Sequence, residues 1–478
     1  MADSDSLQRA DTAPFALDTH IGPLRFTHDF ANGHPTPETL EKLFDERDFQ
    51  RACQTYLWAL PLVSFAQMQR SVAEDLGAMN GQIVAFLSYT DKLGILTPNA
   101  TTPYYIGFVD LARSGPLVIE MPPSGIRGGL VDIWQAAMQG CAPGGKYLIL
   151  GPGQEQPADL GAFQILHSSS LSFMIGVRIT ATDPAEVQQV LSQLRVYPYA
   201  RRDDPPPMQV LPAADRPWSG IPPRGLPYWQ RLDDIVQCET LGERDHFFLE
   251  MLRPLGIEKG RPFAPDGRQK ALLQQGALVG EAMAKANTYD RRFANVKYRE
   301  GAHWDHALNL NADDPAEYWG RLDERASWFY EAYSAAADMS PNKPGPTSAY
   351  LGAYRDQAGD WLDGGRSYRL RVPSDPPANL FWSVTLYDLD TRSLIRNDQQ
   401  IADRSSRMDL RSNRDGSVDI HCGPRAPEGF EANWIPTVPG KGWFAYFRLY
   451  EPTETYFDAS WPLSDFERVD EPRETDHA

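Results

Sequence analysis

The sequence predicts an α+β protein: a sheet-rich N-terminal domain with helical segments, followed by a C-terminal jelly-roll-like β-sandwich. Three observations carry this. Short strand-forming runs between glycine and proline punctuation fill residues 83–179 and return after Pro346. Between them, apolar residues recur at the three- and four-residue steps of amphipathic helices. The 478 residues exceed one ordinary domain, and 42% hydrophobic with 23% charged residues is a composition that buries a core.

In chain order, residues 1–19 form a polar segment expected to be mobile, and IGPLRFTHDF after it is a short alternating strand or hairpin arm. A helix should start at Thr36, where the threonine caps, Pro37 suits the first helical position and Glu38 favours the positive helix end. Pro61 should break or kink it. YYIGFVDL, PLVIEM, GGLVDIW, KYLILG and FMIGVRIT are the clearest strands of the first domain, taken as residues 20–200. PAEVQQVLSQLR is one amphipathic helix within it. Residues 201–345 begin with a proline-rich connector, whose prolines lack the N–H that sheets and helices need. YWQRLDDIVQ, RDHFFLEML, DGRQKALLQQGALVGEAMAKA and RLDERASWFYEAYSAAADM then read as helices. The sandwich, residues 346–470, comprises SYRLRV, LFWSVTLYD, SVDIHC and WFAYFRLYE, with a hairpin signal at Asp415-Gly416.

A net charge of −18 argues against nucleic acid and anionic membranes as partners, since both repel an acidic surface. The four cysteines form no CxxC pair, so zinc and redox signatures are absent from the sequence. The N-terminus has no basic and apolar leader pattern, and no stretch reaches the roughly 20 apolar residues of a spanning helix. A cytoplasmic location is expected.

Several ordered blocks resemble a known family. DFQRACQTYLWALP, TPNATTPYYIGFVDL, GPLVIEMPP, VDIWQ and GGKYLILGP are similar to landmarks of the domain of unknown function numbered 1254. FWSVTLYDLDTRS, NRDGSVDIHCGPRAPEGFEANWIPTVPGKGWFAYFRLYEP and FDASWPLSDFERV resemble the domain of unknown function numbered 1214. The resemblance implies an α+β domain followed by a jelly-roll-like sandwich similar to those that bind or act on glycans, and a homo-oligomer. Two departures stand out. Many relatives carry Asn-Thr-Asp where this chain has Asn99, Ala100 and Thr101, so a carboxylate is missing there. Many relatives also begin with a secretion signal, which this chain lacks.

Candidate chemistry lies in a few places. Asn99, Thr101, Thr102 and Tyr104 in TPNATTPYY offer neutral donors and acceptors to a ligand, or else form a backbone-bonded turn. Asp132, amid apolar strand residues, would have a raised pKa if buried, which suits a general acid or base. Trp134, two residues on, projects from the same strand face and would wall a ring or sugar. The other reading of both is an open strand face or a structural ion pair. His303 and His306, at i and i+3, would share a helix face and bind a metal, although no third ligand is identifiable by spacing. His167, next to Ser168, and His421 are read as structural. In WFAYFRLY, Arg448 shares a face with Phe444, Tyr446 and Tyr450 and suits a carboxylate, sulfate or sugar acid, or an internal acid such as Asp388.

Together these predict a cofactor-independent hydrolase or lyase acting on a small oxygenated substrate, sugar-like or aromatic. Asp132 and Tyr104 would be catalytic, with Asn99, Thr102, Trp134 and Arg448 binding the substrate. The alternative is a non-catalytic ligand-binding or assembly protein with an oligomerising sandwich.

Overall fold

The structure is a computed structural model and describes residues 15–138, 140–181, 183–312 and 314–469. Of the polar segment expected to be mobile, residues 1–14 lie outside this range. A hairpin of β1 (Phe15–Leu17) and β2 (Leu24–Phe26) leads into α1 (Pro37–Glu74). Thr36 caps α1 by accepting the Thr39 N–H at 3.4 Å. The helix runs on through Pro61 rather than ending there. Trp58, Leu60, Leu62, Val63 and Phe65 around it are all buried. At about 1.5–3 kcal/mol each, their burial outweighs the roughly 3 kcal/mol that an interior proline costs.

Next come β3 (Ile83–Phe86), β4 (Tyr104–Asp110), α2 (Leu111–Ser114), β5 (Leu117–Glu120), β6 (Ile126–Asp132), β7 (Lys146–Leu150), β8 (Gln164–His167) and β9 (Ser172–Ile179). They are followed by α3 (Pro184–Gln193), β10 (Arg195–Pro198) and β11 (Val210–Pro212). One sheet has the order β11-β3-β4-β9-β6 and the other β10-β5-β7-β8. The strand β11 comes from the proline-rich connector and pairs parallel to β3. Strand alternation splits the five-stranded sheet. Phe86, Ile106, Phe108 and Met174 face the α1 core, whereas Ile83, Tyr105, Ile175 and Val177 face the four-stranded sheet.

The helical region comprises α4 (Leu226–Cys238), α5 (His246–Leu252) and α6 (Gly267–Tyr289). Asp266 and Gln269 form a full capping box at the start of α6. The helix presses closely on α1: a Cβ at Gly276 would sit 2.4 Å from Ala52 Cβ, and one at Gly280 2.6 Å from Tyr56. The segment expected to be a helix around His303 instead contains a strand, β12 (Trp304–His306), which pairs with a C-terminal strand. Then follow α7 (Pro315–Gly320) and α8 (Leu322–Glu331). The periodicity predicts a helix reaching Met339, but α8 ends at Glu331. Ser334 takes a left-handed φ of 54°, and Ala335 bridges to Ala136 of the first domain.

The C-terminal part holds β13 (Ser348–Ala353), β14 (Ser367–Val372), β15 (Ala378–Asp388), β16 (Asp403–Ser405), β17 (Val418–Gly423), β18 (Trp434–Pro436), β19 (Trp443–Pro452), α9 (Glu454–Phe457) and β20 (Glu467–Val469). They form an antiparallel sheet β12-β13-β19-β15-β16 and a second sheet β18-β17-β14-β20. Trp443 of β19 meets Tyr368 of β14 at 5.6 Å, which brings one face of the first sheet against the second. The opposite face carries Tyr387, Arg448 and Tyr450, and all three bond to residues 97–99 of the N-terminal half. Among the described residues no helix is long and apolar enough to cross a membrane.

Candidate functional site

A cavity of about 460 Å³ lies between the β4–β9–β6 face of the first domain and the β13–β19 face of the C-terminal sheet. Met68 of α1 and the segment Tyr333–Met339 after α8 close its sides. Two arginines enter from opposite sheets: Arg178 on β9, half-buried, and Arg448 on β19, only 3% exposed.

Arg178 sits in a closed set of hydrogen bonds. It donates to the Tyr104 hydroxyl at 2.9 Å, the Tyr450 hydroxyl at 3.3 Å and Thr102 Oγ1 at 3.2 Å. Asn99, fully buried, donates its backbone N–H to the same Tyr104 oxygen at 2.7 Å and its Nδ2 to the same Tyr450 oxygen at 2.5 Å. The Asn99 Oδ1 accepts the backbone N–H groups of Thr101 and Thr102, an Asx turn that fixes the loop. Each phenol oxygen therefore accepts twice, and its own O–H is left to donate. Arg448 donates to the Thr97 carbonyl at 2.8 Å, to Thr385 Oγ1 at 3.3 Å and to the Tyr387 hydroxyl. Among the described residues neither arginine has a carboxylate within 4.0 Å, and Asp388 pairs with Lys441 instead. Burial alone would lower both guanidinium pKa values, but the surrounding tyrosines raise them, so both stay charged.

Of the residues singled out in the sequence, the fold brings Asn99, Thr102, Tyr104 and Arg448 together. Asp132 and Trp134 do not line the cavity. Strand β6 ends at Asp132, and the chain then turns, so strand alternation does not carry on to Trp134. Asp132 Oδ1 accepts the N–H groups of Trp134 at 2.9 Å and Ala136 at 3.1 Å, and Oδ2 accepts from Ser169 Oγ at 2.5 Å. Burial pushes its pKa up against those three donors. Trp134 is buried edge-on against Trp58 and Trp319, at 5.4 and 5.5 Å. His303 and His306 do not share a helix face: His303 lies in the bend just before β12, and His306 ends that strand. His306 Nδ1 lies 3.1 Å from the Tyr456 hydroxyl. Among the described residues no three His, Cys, Asp or Glu side chains group as a metal site. Arg178 is the site residue that the sequence reading passed over. The signal was there: an arginine at an inward position of an otherwise apolar alternating strand.

Family models match two stretches of the chain. Residues 82–198 match "Protein of unknown function (DUF1254)" and residues 347–454 match "Protein of unknown function (DUF1214)". The chain pairs these two domains, DUF1254 N-terminal and DUF1214 C-terminal. No curated protein matches it. Among solved structures it is similar to the VPA0106 protein from Vibrio parahaemolyticus, with a TM-score of 0.54 and 16% identity over 88% of this chain and 100% of that one. An uncharacterised protein from Burkholderia cenocepacia aligns over 89% of this chain and 96% of its own, with 12% identity and a TM-score of 0.39. The first of these likenesses is one of fold.

The cavity thus lies where the DUF1254 and DUF1214 domains meet, and two buried clusters flank it. In the first, Lys92 Nζ donates to the Ala100 carbonyl at 2.7 Å, and Thr101 Oγ1 donates to Asp403 Oδ2 at 2.7 Å. Burial lowers Lys92 to about 8, helped by Arg178 and opposed by Asp403 and Asp91. A lysine with a depressed folded pKa holds fewer protons folded than unfolded between that value and about 10.4. Its contribution to stability therefore grows as pH rises through that window. The stability of the wild type relative to Lys92→Met is expected to increase from about pH 8 to about pH 10. Denaturant unfolding at both pH values measures this, and tyrosine titration common to the two proteins cancels. In the second cluster, Glu331 at the end of α8 accepts from Arg291 at 2.6 Å, from Tyr354 at 2.9 Å and from Tyr446, which lines the cavity.

Proposed function

We propose that the protein binds a small organic anion in the cavity between its two domains. The observation that supports this reading is the Arg178–Arg448 pair: of the three guanidiniums that line the cavity, Arg127 pairs with Glu451, while among the described residues Arg178 and Arg448 have no carboxylate within 4.0 Å. A buried charge without a partner costs several kcal/mol. A carboxylate, sulfate or phosphate oxygen between the two would recover that cost through charge-assisted hydrogen bonds, with the free O–H groups of Tyr104 and Tyr450 adding two more donors. Calorimetric titration with a panel of small organic acids and their matched uncharged amides tests this. Acids are expected to bind and the amides not; equal affinity for both, or no binding by any acid, would overturn the proposal.

A second reading is the hydrolase or lyase, favoured by Tyr104. Its oxygen accepts from both Arg178 and Asn99, so its proton points to whatever the arginines hold, the position of a general acid. On this reading Tyr104→Phe keeps acid binding and loses turnover. Asp132, with three internal donors and no place on the cavity wall, supports the turn after β6. We also read the C-terminal sheets as a jelly-roll-like sandwich, supported by the Tyr368–Trp443 contact, and residues 20–200, 201–345 and 346–470 as domain, connector and domain. A cytoplasmic location, supported by four free cysteines, and the homo-oligomer that the family resemblance implies complete the reading.

A further inference from the structure

The first-domain wall of the cavity is a strand ladder whose chemistry changes from one row to the next. Antiparallel pairing sets Arg127 of β6 opposite Arg178 of β9, Gly129 opposite Gly176, and Val131 opposite Met174. On β4, Ile106 pairs with Gly176. All of these side chains or glycine backbones line the cavity. Residues two apart share a face, so successive rows lie about 7 Å apart along the strands. The wall therefore runs from a cationic row, across a middle row where two glycines stand beside Ile106, to an apolar row about 13 Å from the first.

The glycine row is not required by the backbone. A Cβ on Gly129 would meet nothing within 4 Å, and one on Gly176 only the Met174 Cε at 3.5 Å, an ordinary contact. Neither residue has a left-handed φ. Gly128 is the contrast: its φ is 98° and its Cβ would lie 2.2 Å from the Gly176 carbonyl oxygen, so its glycine is structural. Glycine inside a strand is destabilising relative to alanine, and it commonly marks the close approach of a ligand. Beyond the glycines the cavity is bordered by Met68, Met138 and Met174, flexible thioethers that adapt to an apolar chain. At the cationic end, Arg127 pairs with Glu451 at 2.6 Å, and both are partly exposed.

We infer that the ligand is an elongated amphipathic carboxylic acid lying along the strands. Its carboxylate meets Arg178 and Arg448, its chain crosses the floor made by Gly129 and Gly176, and its apolar end reaches Met174 and Val131. This rests on the anion-site reading and adds the length and direction of the occupant. Gly129 and Gly176 are then specificity-determining positions, because any side chain there fills ligand space rather than protein space.

The test is calorimetry with propionate, benzoate and decanoate on the full chain and on Gly129→Val and Gly176→Val, with circular dichroism confirming that each variant is folded. Decanoate is expected to bind the wild type at least tenfold more tightly than propionate or benzoate. Either valine should remove that advantage, while propionate binding stays within about twofold because the anion end is untouched. Gly129→Ala, with the smaller group, gives an intermediate loss and serves if a valine variant does not fold. Equal affinity for the three acids in the wild type, or decanoate binding unaffected by all three substitutions, would overturn the inference. Failure of every acid to bind the wild type would instead overturn the anion site on which it rests.

Discussion

Replacing Glu331 by alanine is expected to cost about 3–5 kcal/mol of folding stability, the usual consequence of stranding one member of a buried ion pair. The carboxylate is fully buried, and its partner Arg291 is buried too. Burial pushes the Glu331 pKa up, against Arg291, Tyr446 and Tyr354, which all favour the ionised form. Its loss leaves Arg291 with carbonyl acceptors at Thr288, His306 and Ala307 but with no opposing charge. The same carboxylate joins three parts of the chain, since Arg291 follows α6, Tyr354 follows β13 and Tyr446 lies on β19. Denaturant unfolding reads the effect, and Glu331→Gln, which keeps an acceptor and the volume, should lose less. A loss under about 1 kcal/mol for Glu331→Ala would mean that the pair is replaceable by solvent.

Arg178→Met should behave in the opposite way. The guanidinium has neutral acceptors only, so replacing it by an apolar side chain of similar length relieves a half-buried charge and leaves stability within about 1 kcal/mol of the wild type. Binding of an organic acid should fall by about 2–5 kcal/mol, roughly thirtyfold to several thousandfold, as for truncation of one partner in a buried charge pair. Calorimetry and unfolding on the same sample separate the two effects. Acid affinity that survives the substitution would remove Arg178 from the site. Collapse of the fold would instead make the arginine a structural tie between Tyr104, Tyr450 and Thr102.

Much of this was legible in the residues because the signals were local. The start of α1 follows from Thr36-Pro37-Glu38, and the apolar spacing after Asp266 marks α6. The alternation of β19 correctly set Arg448 on the face of Tyr446 and Tyr450. What was not legible depends on tertiary structure. Pro61 stays inside a helix because its surroundings are core on every side. The three residues of β12 form a strand because β13 offers an edge, where local spacing equally allowed a helix. Trp134 leaves the face of Asp132 because the strand ends there. The cavity itself joins Asn99 to Tyr450, 351 positions apart, and Arg178 to Tyr450, 272 apart, and no spacing rule reaches that far.

The most direct measurement is a crystal structure of the protein grown with the tightest-binding acid. The account predicts density between the two domains, with carboxylate oxygens within about 3 Å of the Arg178 and Arg448 guanidiniums and of the Tyr104 and Tyr450 hydroxyls. An acid bound elsewhere, with one of the protein's own carboxylates swung in to neutralise the two arginines, would contradict it.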